Sequence, residues 1–256
     1  MSSTPLFDTA PAGPRVQRVR HELKRRRVQV QRVERLSLHM CSITFGGEAL
    51  ADFVSLSFDD HIKLFLPAND DSAWVARDYT PRRFDAAARE LCIEFALHGD
   101  GPAANWARQA RPGQTVEIGG PRGSFIVPPD LSWHLLVGDS SALPAIARRL
   151  EELPASATAW AIVQMPDAAD HRVLGHAGQR QPLWVGDDAQ CLDAVRALTL
   201  PAGEGFVWCA GEATAMQVLR RVLLEEKGVD RHALRASAYW KRGTQAHHGQ
   251  LGDAGE

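Results

Sequence analysis

The rhythm of apolar residues changes once along this chain, and that change limits the architecture. From about Arg27 to Val127 the sequence shows short alternating runs closed off by turn residues. Val28-Gln29-Val30-Gln31-Arg32-Val33, Ser42-Ile43-Thr44-Phe45 before Gly46-Gly47, His61-Ile62-Lys63-Leu64-Phe65-Leu66 before Pro67, and Leu91 to Leu97 are examples. A period of two sends successive side chains to opposite faces, so many short strands with Gly and Pro boundaries predict a small antiparallel barrel. After Pro128 the pattern becomes strand, turn and helix. Trp133 to Val137 leads through Gly138-Asp139-Ser140-Ser141 into a helical Ala142 to Leu153, and Thr158 to Val163 and Pro182 to Val185 read as strands. Gly205 to Cys209 leads through Gly211-Glu212 into a helix carrying Leu219, Val222 and Leu223 on one face. This alternation predicts a mostly parallel sheet covered by helices. Pro128-Pro129-Asp130 interrupts both patterns. The expected organisation is a β-barrel domain over residues 15–129 and an α/β domain over 130–245, with 1–14 and 246–256 as flexible tails.

Size and charge narrow the possible partners. The 256 residues are 45% hydrophobic, enough for packed cores, and the formal net charge of −2 gives no global attraction to nucleic acid. The run Arg15 to Arg35 is basic, but Glu22 and Glu34 interrupt it and no aromatics are interleaved for base stacking, so it reads as a solvated entry strand. No apolar stretch approaches the roughly 20 residues of a membrane helix, and Met1 to Pro14 lacks the layout of a signal peptide. Cys41, Cys92, Cys191 and Cys209 are scattered, and His171, His176 and His247-His248 lack supporting ligands at metal-binding spacing. A reduced, cytoplasmic protein without a metal centre is expected. The short apolar surface signals lean towards a monomer.

The chemistry concentrates in two segments. Arg77-Asp78-Tyr79-Thr80 ends one strand with an aromatic ring, a hydroxyl and a cation. Some twenty residues on, His98-Gly99-Asp100-Gly101-Pro102-Ala103-Ala104-Asn105-Trp106 forms a Gly-rich turn opening a helix. An isoalloxazine needs a flat surface and a hydrogen bond near its reactive nitrogen, and a pyrophosphate needs exposed N–H groups at a helix start, with positive charge nearby. Together the segments read as a two-part flavin site, with Tyr79 against the ring, Thr80 near N5 and Arg77 and Arg82 toward phosphate, unless those arginines are ordinary surface charges. Tyr79 and Thr80 taken alone also suit an ordinary strand end, and Trp106 also suits a packing role.

Two further turns lie at the carboxyl edge of the predicted sheet, where α/β domains bind nucleotides. Ser140 and Ser141, after Asp139, could bond phosphate or simply cap the following helix. Gly211-Glu212 could approach a nicotinamide. No GxGxxG occurs. Lys63 inside a strand, Arg122 in Gly120-Pro121-Arg122-Gly123-Ser124, and Lys241-Arg242 after Tyr239-Trp240 are cations in apolar or Gly-rich settings. Facing a cleft they would attract an anion, and facing solvent they would be rim charges.

In order and spacing these segments resemble the siderophore-interacting protein family of the ferredoxin-NADP reductase superfamily, from Arg32-Val33 to Arg242-Gly243. The resemblance implies a flavin-binding β-barrel followed by a nucleotide-binding parallel-sheet domain. It implies FAD as cofactor and NADPH or NADH as donor, with ferredoxin an alternative in some branches. The activity implied is reduction of Fe(III) in a ferric siderophore, releasing Fe(II) for iron acquisition. Carried onto this chain, Arg77, Asp78, Tyr79, Thr80, His98, Gly101, Pro102, Ala103, Ala104 and Trp106 would form the flavin site, with Tyr79 and Thr80 at the reacting edge. Asp139, Ser140, Ser141, Gly211 and Glu212 would meet the nucleotide, and Lys63, Arg122, Lys241 and Arg242 the substrate. Ser140-Ser141 departs from the Glu-Thr common in the family. A reductase of the same fold serving another acceptor, or a ferric-chelate binder without turnover, are the competing readings.

Overall fold

The computed structural model describes residues 15–67, 74–97, 99–177, 180–244 and 249–250. The first part of the chain gives strands β1 (Gln17–Arg20), β2 (Arg25–Arg35), β3 (Met40–Gly46), β4 (Ile62–Pro67), β5 (Trp74–Tyr79), β6 (Arg83–Asp85) and β7 (Glu90–Ala96). Helix α1 (Pro102–Gln109) and strands β8 (Thr115–Gly119) and β9 (Gly123–Ile126) follow. Strands β2 to β8 form one antiparallel sheet in the order β5-β4-β8-β2-β3-β7-β6, while β1 pairs with β9. The end strands β5 and β6 do not pair with each other among the described residues, so the expected barrel is half-open. The alternation seen in the sequence sets the inside: on β4, Ile62, Leu64 and Leu66 are buried while Lys63 and Phe65 face outward. Helix α1 packs on both β4 and β7, which are not neighbours in the sheet, and puts Ala103, Ala104 and Ala107 inward.

The second part gives β10 (Trp133–Asp139), α2 (Leu143–Glu152), β11 (Ala159–Gln164), β12 (Leu183–Val185), α3 (Asp188–Ala197), β13 (Gly205–Glu212), α4 (Ala213–Arg221), β14 (Leu234–Trp240) and β15 (Gly249–Gln250). Its sheet runs β12-β11-β10-β13-β14-β15, with the first five strands parallel. Within the segment expected as a C-terminal tail, Gly249–Gln250 pairs antiparallel with Ser237 and Ala238. Strands β10 and β13 are buried along their whole length, as central strands covered on both faces must be.

The two sheets share a core. Met40 and Phe58 from the first part pack in one cluster with Leu136, Ile146, Phe206 and Trp208 from the second. Charged side chains then fix the alignment. Arg82, expected from the sequence to face phosphate, is instead buried between carboxylates: its Nε donates to Glu94 at 3.1 Å, and its Nη1 donates to Glu151 of α2 at 2.8 Å. Arg172 reaches back from the second part to Glu94. Arg148 of α2 donates to the Pro81 carbonyl at 2.7 Å and to Ser55 Oγ at 2.8 Å. Trp208 Nε1 donates to Asp59 at 2.8 Å, and Arg235 pairs with the same carboxylate at 2.5 Å. On another side, Asp170 accepts from Ser37 Oγ at 2.6 Å and from His39 Nδ1 at 2.8 Å. Burial pushes the Asp170 carboxyl up, but these hydrogen bonds outweigh it and hold it below the usual carboxylate range.

Because Arg82 and Glu94 are both almost fully buried, removing the cation leaves an undercompensated carboxylate. Arg82→Met is expected to cost about 3 kcal/mol of stability, the low end for breaking a buried pair because Arg172 still meets Glu94. Denaturant unfolding of the two proteins checks this, with Arg82→Lys recovering part of the loss.

Candidate active site

The end of β5 delivers Arg77, Tyr79 and Thr80 to a cavity of about 180 Å³. Alternation along the strand puts Arg77 and Tyr79 on one face and Asp78 on the other. Tyr79 leans on Phe95 with ring centroids 4.5 Å apart, and Thr80 is buried beside it. Burial pushes the Tyr79 phenol far up, so it stays protonated. Ala103 of α1 lines the same cavity, and Ser140, Ser141, Pro144 and Tyr239 close it from the second part of the chain.

The residues present fit a flavin dinucleotide. Helix α1 begins at Gly101 with Pro102 as its first residue and no side chain capping its start, so its leading N–H groups remain for an anion. A Cβ placed on Gly101 would meet nothing within 4 Å, so the approach to that helix end is open. His98 lies outside the described residues. Trp106 stacks on Phe45 at 6.2 Å and tilts against Phe95 at 5.9 Å, and it does not line the cavity.

The two turns of the parallel sheet are tied to each other. Asp139 accepts from Ser141 N at 2.8 Å, Ser141 Oγ at 2.5 Å, Glu212 N at 3.1 Å and Trp240 Nε1 at 2.7 Å. Burial pushes its carboxyl up, and those four donors oppose the rise. Glu212 caps α4 through Thr214 N and Ala215 N at 2.7 and 3.0 Å, and its other oxygen accepts from Arg242 N at 3.2 Å. Both carboxylates are therefore committed to holding backbone, and Ser140 and Ser141 are the members of this set that line the cavity.

Beside the first cavity lies a second, of about 480 Å³, and His61 and Asp78 line both. Lys63 and Arg122 meet there, with Lys63 Nζ donating to both oxygens of Asp78 at 2.9 and 3.0 Å. Asp78 thus serves as a wall between the cavities and as the partner of Lys63. Lys241 and Arg242 are exposed on a turn closed by a Lys241–Thr244 bridge, and they do not line this cavity. Three of its lining residues, Lys24, Arg25 and Phe65, escaped the sequence reading, as did Tyr239 in the first cavity. The basic run 15–35 is the one signal for Lys24 and Arg25, and it describes a solvated strand equally well, while Phe65 and Tyr239 read as ordinary strand residues. His171 and His176 have local partners: His171 stacks on Trp184 at 4.7 Å and contacts the Met165 carbonyl at 2.9 Å, and His176 contacts the Glu151 carbonyl at 2.8 Å. His247 and His248 lie outside the described residues.

Residues 29–125 match the family model described as siderophore-interacting FAD-binding domain, and residues 131–243 match the model described as siderophore-interacting protein. A curated relative from Escherichia coli (strain K12), the NADPH-dependent ferric-chelate reductase, is 39% identical over 94% of this chain and 99% of its own length. The chain belongs to the siderophore-interacting protein family. The ferric vibriobactin reductase ViuB of Vibrio cholerae is 30% identical over 81% of this chain and 86% of its own. A siderophore utilization protein from T. fusca superposes with a TM-score of 0.84 at 33% identity, covering 91% of this chain and 98% of that one. Within this siderophore-interacting protein the Asp139 contacts leave no room at Gly211. Its φ of +157° is reached rarely by other residues, and a Cβ there would stand 2.6 Å from Asp139 Oδ2. Gly211→Ala is expected to cost about 2 kcal/mol of stability, as read by thermal unfolding.

Proposed function

We propose that this protein is a FAD-dependent reductase that passes electrons from NADPH to Fe(III) in a ferric siderophore, releasing Fe(II). Family membership and the ferric-chelate reductase from E. coli support the reading. The observation that carries it is the shared wall: the flavin-fitting cavity and the cation-lined cavity both include His61 and Asp78. FAD, when bound, supplies the conversion of a two-electron hydride into single-electron transfers, which Fe(III) requires.

The chain's own residues supply position and charge. Tyr79, fixed by Phe95, would give the flavin ring a rigid wall, and the buried Thr80 hydroxyl would offer it a hydrogen bond. The uncapped start of α1 and the Arg77 guanidinium would hold the pyrophosphate. Ser140 and Ser141, in a turn locked by Asp139, line the cavity from the second part of the chain and would meet the nicotinamide nucleotide there. Lys63 and Arg122 attract an anionic chelate to the neighbouring cavity, so the iron stays on its chelator and needs no protein ligand. Fe(II) is bound less tightly than Fe(III) by hard oxygen donors, and reduction therefore loosens the complex.

The reading places the reaction in the cytoplasm. No helix among the described residues is long and apolar enough to cross a membrane. Cys41, Cys191 and Cys209 are buried as free thiols, in keeping with a reducing compartment.

Anaerobic stopped-flow mixing tests the reading directly. With NADPH the flavin band should bleach, and on adding a ferric siderophore it should return as the chelate band disappears. A flavin that bleaches while the chelate persists would end the siderophore assignment. Thr80→Ala is expected to slow flavin reduction about fivefold, the rate equivalent of one hydrogen bond of ~1 kcal/mol. FAD affinity, measured by titrating apoprotein, should change less than the rate.

A further inference from the structure

The floor of the larger cavity is a single cross-strand row. Lys63 on β4 and Arg25 on β2 are both register partners of Gly119 on β8, the strand between them. Neighbouring strands lie ~4.8 Å apart, so two cations flank a residue without a side chain, about 10 Å from backbone to backbone. Gly119 keeps that gap shallow because the Phe65 ring passes over it. A Cβ on Gly119 would stand 3.2 Å from Phe65 Cε2. Arg25 then lies on that ring, with Cζ 3.9 Å from its centroid.

The two cations are held differently. Lys63 is a point charge drawn to Asp78 by two contacts. Arg25 is a plane with one face on Phe65 and Nε 3.4 Å from Glu117 Oε2, while 61% of its side chain remains accessible. A guanidinium stacked on one ring presents its opposite face to a second, because it is flat, delocalised and weakly hydrated. A lysine at the same place would keep the charge and lose the plane.

We propose that Arg25, held flat on Phe65, is a specificity-determining residue that selects aryl-bearing anionic chelates, the ferric catecholates, over hydroxamate and aliphatic carboxylate complexes. This rests on the ferric-siderophore reading above. Three catecholates around Fe(III) leave a triple negative charge and present flat rings at the surface of the complex. Three hydroxamates around Fe(III) leave no net charge and present no rings. Citrate complexes are anionic but have no ring to stack. The cavity lining matches the first class on both counts. It holds Lys24, Arg25, Lys63 and Arg122 against the one carboxylate Asp78, and a guanidinium platform lies at its floor. Lys24 is already taken by Asp52 at 2.7 Å and Glu22 at 3.1 Å, which leaves the selection to Arg25 and its ring.

The test compares FAD-loaded wild type with Arg25→Lys and Phe65→Leu. Each is titrated in the oxidised state, without NADPH, with ferric tris(2,3-dihydroxybenzoate), ferric desferrioxamine and ferric citrate, following flavin fluorescence. NADPH-driven reduction of the same three complexes is then measured. Arg25→Lys should raise Kd and KM for the catecholate complex roughly tenfold and move the other two less than about twofold. Phe65→Leu should repeat the pattern, because it removes the surface that keeps Arg25 flat. Equal losses for all three complexes, or an unchanged catecholate Kd in Arg25→Lys, would overturn the proposal. Wild type that binds the catecholate but does not reduce it would fail the reductase reading alone, since the titrations still decide the role of Arg25.

Discussion

Everything at this site depends on the buried link from Arg82 to Glu94 and Glu151. The cavity that fits the flavin takes Thr80 and Ala103 from the first part of the chain and Ser140, Ser141 and Tyr239 from the second. Its geometry therefore exists only while the two parts keep one alignment. Reacting groups misplaced by about 1 Å lose much of the benefit of proximity. An apolar interface alone would resist separation but tolerate sliding, because the hydrophobic effect has no direction. A guanidinium fork that meets Glu94 on one side and Glu151 on the other fixes direction as well as distance. Glu94 also lines the cavity, so the clamp and the site share a carboxylate.

The same logic explains why the polar contacts across the interface are spread out. Asp59 is reached by Trp208 and Arg235, Pro81 and Ser55 by Arg148, and Ser37 and His39 by Asp170. These anchors sit at different places around the shared core of Met40, Phe58, Leu136 and Trp208. Several separated anchors remove rotations that a single clamp would leave. Each costs desolvation, so their value lies more in a fixed alignment than in net stability.

The sequence made the sheets legible because burial follows period: Ile62, Leu64 and Leu66 point inward on β4, and central β10 is buried throughout around Leu135, Leu136 and Val137. Thr80 and Ala103 were legible because each belongs to a local run whose shape alone suggests a ligand. Lys63 could be flagged because a lysine inside an apolar strand needs a reason. Arg25 could not. Its role needs the register of β2, β8 and β4, which brings residues 25, 63 and 119 into one row, and a run of arginines looks the same whether it faces solvent or a cavity. Asp139 and Glu212 are the opposite case. Their Gly-Asp and Gly-Glu turns resemble ligand sites, and the structure shows those carboxylates holding backbone amides and an indole. Lys241 and Arg242 looked like part of the substrate pocket because they are basic and follow aromatics, but the turn after β14 leaves them outside the cavity that holds Lys63.

Asp78 gives the two cavities a common electrostatic boundary. A carboxylate on the wall of a pocket proposed for anions looks counterproductive, yet its two contacts hold Lys63 in one position and offset its charge. A small anion approaching Lys63 must then compete with a carboxylate already in place, and a single exposed ion pair offers it little to gain. A large anionic complex meets a different balance, because it can reach across Gly119 to Arg25 and out to Arg122 while leaving the Lys63–Asp78 pair intact. Size and charge are thereby read together. On the proposed reading the pocket would resist filling by the abundant small anions of a cell and would accept a ligand wide enough to engage both ends of the row beside the wall it shares with the first cavity.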